Sequence, residues 1–498
     1  MAPVPDIDAD FLALPMRRLA DVALQRARDL GADHADFRLE RIRGRYLALT
    51  DAELDSESDS DTLGFAVRVV HGGVWGFAAA TELSSDTAAA VAERAVQVAT
   101  VSAAAATERI ELAAEPTHSD VRWVSTYEVD PFEVAPREQT ALLAGWSRRL
   151  LKDSRVDHVD ASVLAVKEQK FYADTAGTTT TQQRVRIAPG VEVFATRDGV
   201  LDSMRTIAPP AGRGWEYLSQ VEPQIDALPE LLAEKLAAPS VEPGTYDLVV
   251  HPSNLWLTIH ESIGHATELD RALGYEAAYA GTSFATPDQL GSLRYGSKIM
   301  NVTGDRTVQH GLATIGYDDE GVATSSFDLI RDGVLVGYQR DRRISHLQGY
   351  ASSNGCAHAD SPATMPIQRM ANVSLAADPD GPSTDGLIEG VENGIYVVGD
   401  KSWSIDMQRY NFQFTGQRFY RIENGRITGM LRDVAYQATT TDFWGSMDAL
   451  GGPQTYELGG SFMCGKGQPG QVAAVSHGCP SAAFSGIRIL NTVQEAGN

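Results

Sequence analysis

The chain has 498 residues, 43% of them hydrophobic and 22% charged, with a formal net charge of −24. That length exceeds one ordinary core, so at least two domains are expected, and the acidic balance argues against phosphate-backbone binding and hence against a nucleic-acid partner. No run of about 18 apolar residues appears, so no membrane-spanning helix is expected.

The N-terminus, Met1 to Asp8, carries acids and prolines and does not have the pattern of a signal peptide. Together with an odd, low cysteine count (Cys356, Cys464 and Cys479) this predicts a reducing, cytoplasmic location. Residues 13–30 carry apolar side chains at helical spacing and end at Gly31. From 34 to 50 the pattern is strand, with Phe37 and Leu39 on one face. The phase then slips to Ile42, Gly44, Tyr46 and Ala48, which predicts a bulge. The acidic, Ser-rich stretch 51–61 predicts a solvated loop. A hairpin is expected over 62–81, turning at His71-Gly72-Gly73. Ser84 or Ser85 should cap an Ala-rich helix running to about 105, and a second long helix should cover 136–153. Strands follow over 156–204, with breaks expected at 174–177, 189–190 and 197–199. A last helix over 226–238 leads into the Pro- and Gly-bearing linker 239–244.

Past that linker, 246–251 is a short strand, Pro252-Ser253 a turn with Ser253 as candidate N-cap, and a helix of roughly five turns should follow, stopped near Gly274. Leu255, Ile259, Ile263 and Ala266 form its apolar stripe. The rest is mostly strand and turn, with hairpins around 331–333 and 423–425 and a strand at 395–399. The expected fold class is therefore α+β. Residues 1–238 should form a mixed α/β domain with a largely antiparallel sheet, and residues 239–498 a β-rich domain carrying the helix.

That helix bears His260-Glu261-Ser262-Ile263-Gly264-His265. Two neutral imidazoles suit zinc, and a carboxylate beside the metal but not bound to it can take a proton from a water there. The familiar helical spacing is four; here it is five. At ~100° per residue the two rings would diverge by about 140° on a regular helix, so a π-bulge is expected, eased by Gly264. A catalytic zinc wants three protein ligands and an open position, so one ligand must come from elsewhere. His477-Gly478-Cys479 looks metal-like, while Cys356 is a weaker candidate.

With these motifs stand Gly64-Phe65-Ala66-Val67-Arg68-Val69, Trp75-Gly76-Phe77-Ala78, Tyr317-Asp318-Asp319-Glu320-Gly321, Pro366-Ile367-Gln368-Arg369-Met370 and Met463-Cys464-Gly465-Lys466-Gly467-Gln468. In order and spacing, over nearly its whole length, the chain resembles the TldD/PmbA family of zinc peptidases. The resemblance implies zinc (Zn2+) held by His260, His265 and Cys464, with Glu261 as the catalytic glutamate and Cys479 as the rival third ligand. A thiolate ligand lowers the metal's charge and puts more weight on Glu261 as base. Glu268 and Asp270 recur near the motif in the family and are candidates for orienting a ligand. Arg369, His251 and the acidic turn 317–321 are candidates for lining a substrate groove. The implied activity is hydrolysis of peptides or unfolded segments, by a homodimer or by a heterodimer with a PmbA-like subunit lacking the motif. The alternative is a non-catalytic modulator subunit of such a complex.

Overall fold

The computed structural model describes residues 6–495, so Met1 to Pro5 of the N-terminal stretch lie outside the described residues. The chain folds as α+β, with a β-rich C-terminal half.

The first sheet runs, in spatial order, 74–80, 53–71, 34–50, 158–174, 179–197, 121–124, with 200–205 added on 179–197. All its pairings are antiparallel except that of 121–124 with 179–197. Odd-numbered side chains of the long strands form its apolar face. At one end Phe37, Phe65 and Phe171 pack under the helices Met16–Asp29 and Ser85–Ser102. At the other, Leu47, Val163 and Val193 pack under Pro136–Leu150 and two short helices, Leu218–Ile225 and Leu228–Ala237. Ser84 caps the Ala-rich helix, its side chain accepting from the Thr87 amide.

On the opposite face, a set of even-numbered side chains of the same strands is charged yet buried. Arg68 meets Asp36 and Glu320, Lys170 meets Glu40 and Asp319, and Glu168 meets Arg184 and Arg186. This polar face lies against the C-terminal half. Two departures from expectation stand here. The pairing of 34–50 is continuous past Leu39, and the bulge comes at Ala48/Leu49 instead. The apparent phase slip arises because the odd positions 41, 43 and 45 are arginines: Arg41 and Arg45 pair with Asp61 and Asp59, Arg43 and Arg45 lie over the Phe132 ring, and Tyr46 on the even side is exposed. The turn 317–321 is buried, with Asp319 and Glu320 neutralising Lys170 and Arg68, and is not a groove wall.

Two further corrections concern strand length. The acidic stretch is solvated, but it forms the exposed half of the strand Glu53–His71, where Asp59 and Asp61 pair across to Arg45 and Arg41. Cross-strand charge pairs let a strand form where composition predicts a loop. Pro189 and Gly190 do not break the strand Thr179–Arg197, whose register with 158–174 runs straight through them.

In the C-terminal half the pairing closes on itself. Strand 393–405 pairs with 244–250, then 482–491, 434–439 and 411–423 follow, and 411–423 pairs back to 393–405. The result is a small barrel, antiparallel except between 393–405 and 244–250. Aromatic rings fill it: Phe412 lies 4.6 Å from Phe414 and 5.4 Å from Phe443. A separate ribbon, Glu457–Lys466 with Gln471–Cys479, packs against the motif helix.

Gly76 marks the closest approach of sheet to helix in the first half. A Cβ there would lie 1.9 Å from the Ala95 carbonyl oxygen, a backbone atom that cannot step aside. Gly76→Ala is expected to cost about 3 kcal/mol, the upper range for overpacking. Urea unfolding checks this, and a loss below about 0.5 kcal/mol would contradict the packing.

Candidate metal centre

The strand Gly244–Val250 leads directly into the helix Pro252–Ile259. The N-cap is His251, not Ser253: its Nδ1 accepts from the Ser253 amide. Proline at the first helical position needs no donor there. Every residue of this helix is buried, so the expected stripe of Leu255, Ile259, Ile263 and Ala266 is part of an all-round apolar surface.

From His260 to Gly264 the helix widens into a π-turn, and the His265 amide donates to the His260 carbonyl at 3.1 Å. This is the bulge that a five-residue spacing requires. The surrounding fold holds it open. Tyr295 Oη donates to the Ser262 carbonyl, Gln339 Nε2 donates to the Gly264 carbonyl at 2.7 Å, and Trp444 Nε1 donates to Ser262 Oγ at 2.9 Å. Gly264 contributes closeness more than flexibility, since a Cβ there would lie 2.6 Å from Met370 Sδ. The helix does not continue for five turns. It breaks at 265–267, Glu268 bridges to Gln339, and a short second helix, Leu269–Ala272, ends at Gly274 with φ +88°.

The widened turn brings the rings of His260 and His265 to 4.7 Å between centroids. Cys464, on the strand Glu457–Lys466, completes a buried trio whose donor atoms lie within 4.8 Å of one another. Its Sγ is 3.6 Å from His265 Nε2. A tetrahedral zinc with bonds of ~2.3 Å to sulfur and ~2.05 Å to nitrogen sets those two atoms about 3.6 Å apart, so the trio fits the ion. Burial pushes the Cys464 thiol up, but His265 and Arg369 outweigh it and hold it below the usual range, favouring the thiolate. The rival Cys479 lies away from the trio, its Sγ 3.8 Å from the Pro252 carbonyl, and burial holds its thiol well above the usual range. Cys356 is buried elsewhere and pushed up to about 12 by desolvation.

The other nitrogen of each imidazole is occupied. His265 Nδ1 lies 2.8 Å from Glu268 Oε2. Glu268 is held in turn by Lys466, whose ammonium reaches Glu268 at 3.0 Å, Asp270 at 2.8 Å and Gln368 at 2.9 Å. Burial opposes ionisation of Glu268, yet Lys466 and His265 hold it well below the usual carboxylate range. His260 Nδ1 lies 2.7 Å from His477 Nε2. Arg369 is buried and not in a groove; its guanidinium donates to the carbonyls of Cys464 and Gln471 and pins the two strands of the ribbon.

Glu261 lies beside the trio. Arg409 donates to its Oε2 at 2.5 Å from the loop between strands 393–405 and 411–423. Arg409 adopts φ +65°, unusual for a non-glycine. Asp406 fixes that loop by accepting from the amides of Gln408, Tyr410 and Asn411. Burial pushes the Glu261 carboxyl up, while His260, His265 and Arg409 outweigh it and hold it below its ordinary value. A cleft of about 350 Å³ is lined by Trp256, Gly459, Gly460, Ser461, Trp403 and Arg205; neither Glu261 nor any of the trio is in its wall, and Trp256, one helical turn before His260, is its link to the centre. Trp256 sits edge-on to His260 at 6.3 Å.

Lys466 could have been found in the sequence, being two residues from Cys464 and so on the same strand face. His477 stands in a metal-like pair, but its contact with His260 follows only from the fold. Nothing local marks Arg409.

Two imidazoles from a widened helix and a thiol from the adjoining ribbon converge beside a carboxylate and define a candidate metal-binding centre. Residues 243–491 match the PmbA/TldA metallopeptidase C-terminal domain and residues 35–99 match its domain 1. The chain belongs to the TldD/PmbA metallopeptidase family. It is 25% identical to a metalloprotease of Methanocaldococcus jannaschii, over 90% of this chain and 94% of the relative. It is 22% identical to a zinc metalloprotease TldD homolog of Saccharolobus solfataricus, over 94% and 98%. In fold it is similar to TldE from Thermococcus kodakarensis, with a TM-score of 0.72 at 14% identity, covering 95% of this chain and 99% of that one. Among the described residues no helix is long and apolar enough to cross a membrane.

Proposed function

We propose that the chain is a zinc-dependent peptidase of extended peptides or unfolded segments, with His260, His265 and Cys464 as zinc ligands and Glu261 as general base. The observation that carries this reading is the buried trio of donor atoms within 4.8 Å, with Glu261 next to it in sequence and in space. The name of the S. solfataricus relative supports zinc as the metal.

Bound zinc supplies a Lewis acid that acidifies a water and polarises the scissile carbonyl. Glu261 is ionised at neutral pH and takes the proton from the attacking water. It then delivers that proton to the leaving amine; Arg409 holds Oε2, which leaves Oε1 to carry the proton. Substrate lies in the cleft beside Trp256. Among the described residues the strand Glu457–Lys466 is paired on one side only, with Gln471–Cys479. Its open edge offers main-chain hydrogen bonds to a peptide of any sequence. We further place the chain in the cytoplasm, working as a dimer of two such chains or with a motif-less partner. We place the division of the chain at the linker, with 1–238 and 239–498 as separate domains.

The Glu261–Arg409 contact also fits a second reading, a non-catalytic partner subunit whose carboxylate is permanently masked. Zinc content and peptide digestion of the purified chain separate the two. Cleavage lost on chelation and restored by zinc is the expected result; zinc uptake with no cleavage of any peptide library supports the masked subunit. Cys464→Ala should lose bound zinc and cleavage together, whereas Cys479→Ser should keep both. The reverse pattern would move the third ligand to Cys479.

A further inference from the structure

We propose that His477 is a positioning residue that sets the tautomer of His260, and so presents a bare Nε2 to the metal. The inference rests on His260 being a ligand, as proposed above.

The geometry leaves little freedom. His477 is fully buried on the ribbon, its ring stacked on Trp256 at 6.2 Å and 9°. Its Nδ1 lies 2.9 Å from the Val373 carbonyl oxygen. A carbonyl oxygen only accepts, so the proton must sit on His477 Nδ1. In a neutral ring Nε2 is then bare and can only accept. The atom facing it at 2.7 Å is His260 Nδ1, which must therefore carry a proton and donate. A neutral His260 protonated at Nδ1 has its lone pair at Nε2. The opposite tautomer would leave two bare nitrogens face to face in a dry site, losing a hydrogen bond and adding repulsion. Thus one backbone carbonyl on the strand Asn372–Leu375 fixes, through His477, which nitrogen of His260 is free. Glu268 plays the matching part for His265, whose Nδ1 it engages at 2.8 Å. The two imidazoles are held in one tautomer by different chemistry: a carboxylate on one side, a carbonyl relayed through a third imidazole on the other. Partners of this kind commonly contribute 10- to 100-fold in metal affinity.

The direct test is nitrogen-15 NMR of the histidine side chains in the full-length, metal-free chain. His260 and His477 should both show the Nδ1-protonated pattern. A His260 protonated at Nε2 would overturn the proposal. The second measurement is zinc affinity by chelator competition. His477→Phe keeps the ring and its stack on Trp256 but removes the acceptor; its zinc Kd should rise about 10- to 100-fold. His477→Gln places a carbonyl oxygen near the old Nε2 and should recover most of that loss. Zinc affinity within about twofold of wild type in both variants would also overturn the proposal. Should the Phe variant not fold, the wild-type spectrum and the Gln variant decide. A wild-type chain that takes up no zinc would remove the peptidase reading, while the tautomer spectrum would still stand or fall by itself.

Discussion

Replacing Glu261 with glutamine is expected to lower peptide cleavage by about 10²- to 10⁴-fold while leaving bound zinc in place. The amide keeps the volume of the carboxyl and can still accept from Arg409, so the local structure has no reason to change. What it lacks is the ability to take a proton. Nearby charges already hold the Glu261 carboxyl below its ordinary value, so its ionised form is available well below neutral pH. The substitution therefore removes the base itself and does not merely shift its titration. Zinc content, a melting curve and kcat/KM on a fluorogenic peptide should be measured together. Retained metal, an unchanged melt and lost cleavage form the expected pattern. Equal cleavage by both proteins would exclude the role given to Glu261 and return attention to the masked-subunit reading.

How far the sequence foretold this centre depends on which force set each residue. The π-turn was legible because it is arithmetic: imidazoles five apart cannot share a face of a regular helix. Cys464 was legible only through family likeness, since nothing in the intervening chain says which cysteine folds back. The N-terminal elements were legible where one face is dry and the other wet, as in Met16–Asp29 and Ser85–Ser102. Legibility failed where that contrast vanishes. The charged face of Arg68, Lys170 and Glu168 is buried against the other half of the chain, so charge there does not signal solvent. Arg369 and the 317–321 turn were misplaced for the same reason: both are polar, and both serve inside the protein. Arg409 was invisible because its meeting with Glu261 depends on the tip of a hairpin between two barrel strands, a tertiary fact without local trace.

Lys466→Met should be among the most destabilising single changes in the chain, costing about 3–5 kcal/mol. The methionine fills the space of the aliphatic stem, so the loss is electrostatic and not a cavity. Lys466 is completely buried, and its ammonium serves Glu268 at 3.0 Å, Asp270 at 2.8 Å and Glu276 at 3.4 Å. Burial alone would lower its pKa, yet the three carboxylates raise it, so the ammonium stays charged. Without it, Arg271 is left to face Glu276 at 3.1 Å and Glu268 at 3.5 Å, and among the described residues Asp270 keeps no cation within bonding distance. Buried carboxylates in that state must protonate or draw in water, and either response weakens the fold. A second effect should follow at the metal. Glu268 loses the partner that fixes it, His265 loses a fixed Glu268, and zinc affinity should fall by about 10- to 100-fold. Urea unfolding of the metal-free chain reads the first effect, and chelator competition reads the second. Adding Asp270→Asn to Lys466→Met should return part of the stability, because one stranded charge is gone, yet return little zinc affinity, because Glu268 is still unanchored. A stability loss below about 1 kcal/mol with unchanged zinc affinity would mean that the ammonium neither neutralises the acids nor orients His265.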